Sequence, residues 1–72
     1  MKNYSISNEE IGRRLRELRG DKSISIVAHA VGISPSTLGM YEQGLRVPRD
    51  RIKVLLADYY KTTVQRIFFD EK

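Results

Sequence analysis

The chain has 72 residues, no cysteine, one histidine and a formal charge of +4. That length fits one compact domain with one core, and the composition excludes a disulfide framework, a thiolate zinc site and, with His29 alone, any histidine-built metal site. No apolar run approaches the roughly 20 residues that cross a bilayer, the N-terminal residues lack the apolar stretch of a signal peptide, and the positive balance favours a polyanionic partner such as nucleic acid or acidic lipid.

Residues 1–7 show no periodicity and read as a flexible N-terminal tail, residues 8–69 as the folded domain, and residues 70–72 as a C-terminal tail. Ser7 stands three residues before Glu10, the spacing of a capping box. Ile11, Leu15 and Leu18 then follow on one helical stripe, so a first helix is predicted over about residues 8–20. Its other faces carry Arg13, Arg14, Arg16, Glu17 and Arg19, the composition of a solvated charged surface. Gly20 to Ser23 breaks the pattern. Ser23 or Ser25 then caps a short, mostly buried second helix from Ile26 to Val31, closed by Gly32.

Gly32-Ile33-Ser34-Pro35 is the most informative stretch. Glycine permits the left-handed backbone that ends one helix, serine caps the next, and proline at the first helical position loses no needed hydrogen bond. A third helix is predicted over about residues 35–43, with Leu38 and Tyr41 inward and Ser36, Thr37, Gly39, Met40 and Gln43 outward. Gly44 ends it. Pro48 opens a fourth amphipathic helix over about residues 49–60, carrying Ile52, Leu55, Leu56, Ala57, Tyr59 and Tyr60 on its apolar side. Thr62 or Thr63 caps a last segment from Val64 to Phe69. Nothing alternates with a period of two, so the expected fold is all-α, a compact bundle of five helices without a sheet.

A short helix, a tight glycine turn and a second short helix with a small, uncharged outer side together make a helix-turn-helix arrangement. A recognition helix must fit the major groove, so its outward face cannot be bulky or acidic. Its N-terminus directs free amides outward toward phosphates. Arg46, Arg49 and Arg51 follow directly and suit the flanking DNA backbone. The chain has no plausible nucleophile and base pair, metal cluster or phosphate loop, so no enzyme and no cofactor is expected. A cytoplasmic protein without a membrane partner is expected as well.

The segments Ile11 to Arg19, Val27 to Ser34 and Ser36 to Gly44, continued by Pro48 to Phe69, resemble the Cro and phage-repressor-like helix-turn-helix domains, the XRE family with a lambda-repressor-like fold. The resemblance implies an ion pair between Arg19 and Glu42 that braces helix 1 against helix 3. It places Ser34, Pro35, Ser36 and Met40 toward base edges and Thr37 and Gln43 toward sugar and phosphate. Arg46 and Arg49 would approach the backbone or the adjacent minor groove, and Ser25 would offer a phosphate contact from helix 2. The chain departs from the family at two places. The stretch between Arg19 and Ala28 is about two residues short, with Ile24 or Ile26 near the polar position that usually follows the helix 2 cap. On the reading face, Pro35, Ser36, Gly39 and Met40 replace long amides or basic groups, which removes bidentate base readout and leaves thymine methyls, one serine hydroxyl and DNA shape.

His29, between apolar neighbours, reads as a surface or core-edge residue. Met40 reads as exposed because Leu38 and Tyr41 already define the buried side, and Gly39 is either tolerated drift or a place for close DNA approach. Ile67, Phe68 and Phe69 supply more apolar surface than a chain end needs and are the candidate homodimer contact. The expected function is sequence-specific binding of double-stranded DNA by a small dimeric repressor. The alternative is an antitoxin or anti-repressor type of module that binds an acidic regulatory protein partner, favoured by the departures on the helix 3 face.

Overall fold

The computed structural model describes residues 6–69; the remainder of both predicted tails, residues 1–5 and 70–72, lies outside the described residues. The described residues form five helices in chain order: α1 Asn8–Arg19, α2 Ile24–Val31, α3 Pro35–Glu42, α4 Asp50–Tyr59 and α5 Val64–Phe68. Four of the five begin at a side-chain cap, and α4 begins at Arg49 without one. Ser7 accepts the Glu10 amide at 3.0 Å, Ser23 the amides of Ser25 and Ile26, Ser34 that of Thr37, and Thr63 that of Arg66. These bonds occupy amides that the first turn of a helix leaves without partners. The second half of the predicted capping box is replaced: the Glu10 carboxylate turns to Arg13 and Arg14.

Each helix contributes one large side chain with no meaningful exposure: Leu15 from α1, Val27 from α2, Leu38 from α3, Leu56 from α4 and Ile67 from α5. Ile11, Ala28, Val31, Tyr41, Ile52, Ala57 and Phe68 complete the core. Helix α1 packs on α3 and α5, α2 packs on α3 and α4, and α4 packs on α5. Helix α3 is therefore held from two sides, by α1 and α2.

Four expectations are corrected. Helix α2 begins at Ile24, two residues early, because Ser23 and not Ser25 is the cap. Ile6, assigned to the tail, packs half-buried against the core. Leu18 falls on the apolar stripe but in the last turn of α1, where surface depressions open on both sides, and it remains 37% exposed. Ile67 and Phe68 are 1% and 2% exposed. As part of α5 they close the protein's own core against α1 and α4, so they offer no surface to a second copy; Phe69 alone of that trio is half-buried.

Candidate nucleic-acid interface

The α2–α3 turn follows from its residues. Gly32 sits at φ 80° and ψ 30°, a left-handed conformation that costs glycine little and other residues more. The Ile33 amide donates back to the Ala28 carbonyl at 2.9 Å and the Gly32 amide to that of His29 at 3.2 Å, which satisfies the last carbonyls of α2. Ser34 is extended, its hydroxyl accepts from the Thr37 amide at 3.0 Å, and Pro35 occupies the start of α3. Two residues thus separate the end of one helix from the cap of the next.

Helix α3 buries Leu38 and Tyr41 and leaves Pro35, Ser36 and Gln43 exposed, with Thr37, Gly39 and Met40 half-buried. Its first turn has no acidic residue and its last turn no basic one. The Ser34 hydroxyl also donates to Thr37 Oγ1 at 2.9 Å. Both the donor and one acceptor position of Ser34 are therefore engaged within the cap. Ser36, exposed on the outer face, has a hydroxyl without a partner among the described residues. Ser25, exposed in the first turn of α2, likewise has a hydroxyl without a partner among the described residues, because Ser23 does the capping.

Charge is distributed unevenly over the surface. On α1, Arg13 bonds Glu10 and Glu17, Arg14 bonds Glu10 and the carbonyls of Arg66 and Phe69, and Arg16 bonds the Gly20 carbonyl. Hydrogen bonds from Arg13 and Arg14 hold the Glu10 carboxyl down at about 2. The α1 arginines are thus engaged internally, and that helix reads as an ion-paired surface. Arg46, Arg49 and Arg51, in the connection from α3 and at the start of α4, are exposed and form no ion pair among the described residues. Three unpaired guanidinium groups therefore follow directly on the C-terminal end of α3.

Two contacts fix α3 against α1. Arg19 meets Glu42 through two bonds, Nε to Oε2 at 2.7 Å and Nη2 to Oε1 at 3.1 Å, and its third nitrogen donates to the Lys22 carbonyl at 2.8 Å. Hydrogen bonding to the Glu42 carboxylate raises the Arg19 guanidinium above its ordinary value. At Gly12 the helices touch backbone to backbone: a Cβ there would overlap the Glu42 carbonyl oxygen and stand 2.8 Å from that of Tyr41. Gly12 escaped the sequence reading as a determinant of this site, although a glycine inside an otherwise regular amphipathic helix is a signal of close packing. Ile24 escaped it too, as a neighbour of Gly39: its Cδ1 lies 3.7 Å from the position of a Gly39 Cβ.

The helix-turn-helix domain family matches residues 10–67 of the chain. No curated protein sequence matches it. Among solved structures, it is similar to the restriction-modification controller protein C.AhdI from Aeromonas hydrophila, with 28% identity and a TM-score of 0.76 over 85% of this chain and 91% of that one. The clp gene regulator ClgR from Corynebacterium glutamicum gives a TM-score of 0.76 at 24% identity over 83% of this chain, which spans 66% of the ClgR chain. The P22 c2 repressor, solved in complex with a synthetic operator, gives 0.78 at 17% identity over 81% of this chain and 91% of its own. The latter two likenesses speak to fold alone. With five helices in this order and a capped turn between α2 and α3, the chain belongs to the helix-turn-helix domain family, in its Cro and phage-repressor-like, DNA-binding form.

Proposed function

We propose that this protein is a cytoplasmic transcription regulator that inserts α3 into the major groove of double-stranded DNA and represses as a homodimer. The observation that carries this reading is the juxtaposition of an uncharged, small-residue outer face on α3 with the unpaired Arg46, Arg49 and Arg51 that follow it. A groove about as wide as a helix admits such a face, and free guanidinium groups beside it displace counterions from phosphates. Ser36, Met40 and Pro35 approach base edges, while Ser25, Thr37, Gln43, Arg46 and Arg49 approach sugar and phosphate. Ser34 acts through the cap and orients the others. That C.AhdI is a controller protein, and that the P22 c2 repressor binds an operator, supports the assignment.

Dimerisation follows from size, because one domain buries too little DNA surface for tight specific binding at physiological salt. With Ile67 and Phe68 internal, the apolar surface left for a second copy includes Val54, 57% exposed, in a shallow groove with Val64 and Phe69. The test is selection from random duplex DNA at near-physiological salt, with sedimentation of the protein and of its complex. A palindrome with half-sites about ten base pairs apart, bound by two chains, is the expected result. Salt-sensitive binding without sequence enrichment would overturn the operator-binding role.

A further inference from the structure

The structure assigns a small-molecule site to the depression between the last turns of α1 and α4: it takes a small aromatic carboxylate and acts, through Lys22 and Tyr60, on the Arg19–Glu42 pair that holds α3. The depression measures about 520 Å³, within the range of ligand sites. Leu18, Lys22, Asp58, Tyr59, Tyr60 and Lys61 line it. Leu18 and the two tyrosine rings, edge to face with centroids 5.3 Å apart, give it an apolar and aromatic wall. Lys22 and Lys61 are exposed and form no ion pair among the described residues, and Asp58 is the single acid of the lining. Net positive charge beside an aromatic wall suits a flat ring that bears one carboxylate.

Lys61 stands where glycine is usual. At φ 57° it is the one residue other than glycine with a positive φ among the described residues. Its amide donates to the Asp58 carbonyl at 3.1 Å and that of Thr62 to the Ala57 carbonyl at 2.9 Å, bonds that end a helix on a left-handed residue. Glycine would make this turn with less strain; what lysine adds is an ammonium group lining the depression. Two other lining residues connect the site to the brace. The Lys22 carbonyl accepts from Arg19 Nη1 at 2.8 Å. The Tyr60 hydroxyl is buried without a hydrogen-bond partner among the described residues, and the charges of Glu42 and Arg19 both act on it. A carboxylate that draws in the Lys22 ammonium shifts the loop carrying that carbonyl, and a ring packed on Tyr60 presses toward the same ion pair. The consequence for DNA binding rests on the proposed insertion of α3; the site and its coupling to the brace do not.

The test is a nuclear magnetic resonance titration of the intact, isotope-labelled chain with naphthaleneacetate. Saturable shifts of the amides of Leu18, Lys22 and residues 58–61 are expected, together with a shift of the Arg19 side-chain Nε–H signal. The neutral naphthaleneacetamide should bind about threefold more weakly, and Lys61→Gly should weaken naphthaleneacetate by about the same factor, the contribution of one exposed ion pair. That variant relieves the turn and is expected to fold at least as well, and the comparison of acid with amide needs no variant at all. No saturable shift, or shifts centred elsewhere, would overturn the site. Equal affinity for acid and amide would overturn its preference for a carboxylate. Saturation that leaves the Arg19 Nε–H signal unmoved would overturn the coupling to α3. None of these readouts uses DNA, so failure to select an operator would defeat the proposed function without touching this inference.

Discussion

Replacing Arg19 with methionine tests how α3 is held. The Glu42 side chain is 7% exposed and that of Arg19 15% exposed, so Arg19→Met leaves a carboxylate nearly dry and without its two charge-assisted bonds. Stranding a buried charge in this way costs about 3 kcal/mol. A domain of 72 residues has a total stability of about 4–10 kcal/mol, and the loss should lower the melting temperature by roughly 12–24 °C. Glu42→Gln should cost less, about 1 kcal/mol. It preserves shape, and the longer arginine keeps its Lys22 carbonyl and can reach water along its stem. The double variant Arg19→Met, Glu42→Leu should recover most of the stability, because neither charge is then stranded. Urea unfolding followed by circular dichroism measures all three. A cost below about 0.5 kcal/mol for Arg19→Met, or additive costs in the double variant, would refute the view of this pair as a dry, coupled brace.

Gly12→Ala is expected to destabilise by about 1–2 kcal/mol in the same unfolding assay: overpacking against the Glu42 and Tyr41 carbonyls exceeds the ~1 kcal/mol that alanine adds through helix propensity. The Tyr60 hydroxyl is buried without a hydrogen-bond partner among the described residues, and burial pushes its ionisation up to about 12. The unfolded chain ionises near the ordinary value of about 10, so this contribution to stability is complete below pH 10 and lost as pH rises toward about 12. Tyr60→Phe should remove that part of the alkaline slope and leave neutral-pH stability equal or higher, as read by thermal melts against pH. Arg46→Ala and Arg49→Ala should each weaken DNA binding about equally on all sequences and reduce the slope of log affinity against log salt by about 0.9; a change confined to one base position would place them in base readout.

Helix order and turn chemistry were legible because each depends on local residues. Ser7, Gly32, Ser34 and Pro35 do in the structure what their types dictate. The Arg19–Glu42 pair came from a family resemblance, since nothing in a single sequence joins positions 23 apart. Ile67 and Phe68 illustrate the opposite limit. Two adjacent bulky apolar residues near a chain end look surplus until the short helix α5 folds under α4 and α1 and turns both inward. The same holds for Ile24, whose neighbour Gly39 lies on another helix. Contacts between elements were the part that sequence periodicity cannot supply.

The bracing of α3 and its proposed reading face are linked through one short helix. At eight residues, α3 is below the length at which a helix is stable alone, so its placement depends on what holds its two ends. The N-terminal end is fixed by the Ser34 cap and by α2 through the Gly32 turn. The C-terminal end is fixed by Glu42 to Arg19 and by the Gly12 contact. Loosening only the second end should let α3 pivot about its cap, so a variant that remains folded would lose discrimination near Met40 before it lost contacts at Ser36. Specificity along a half-site should therefore decay from the α3 C-terminal side when the brace is weakened, and uniformly when the cap is.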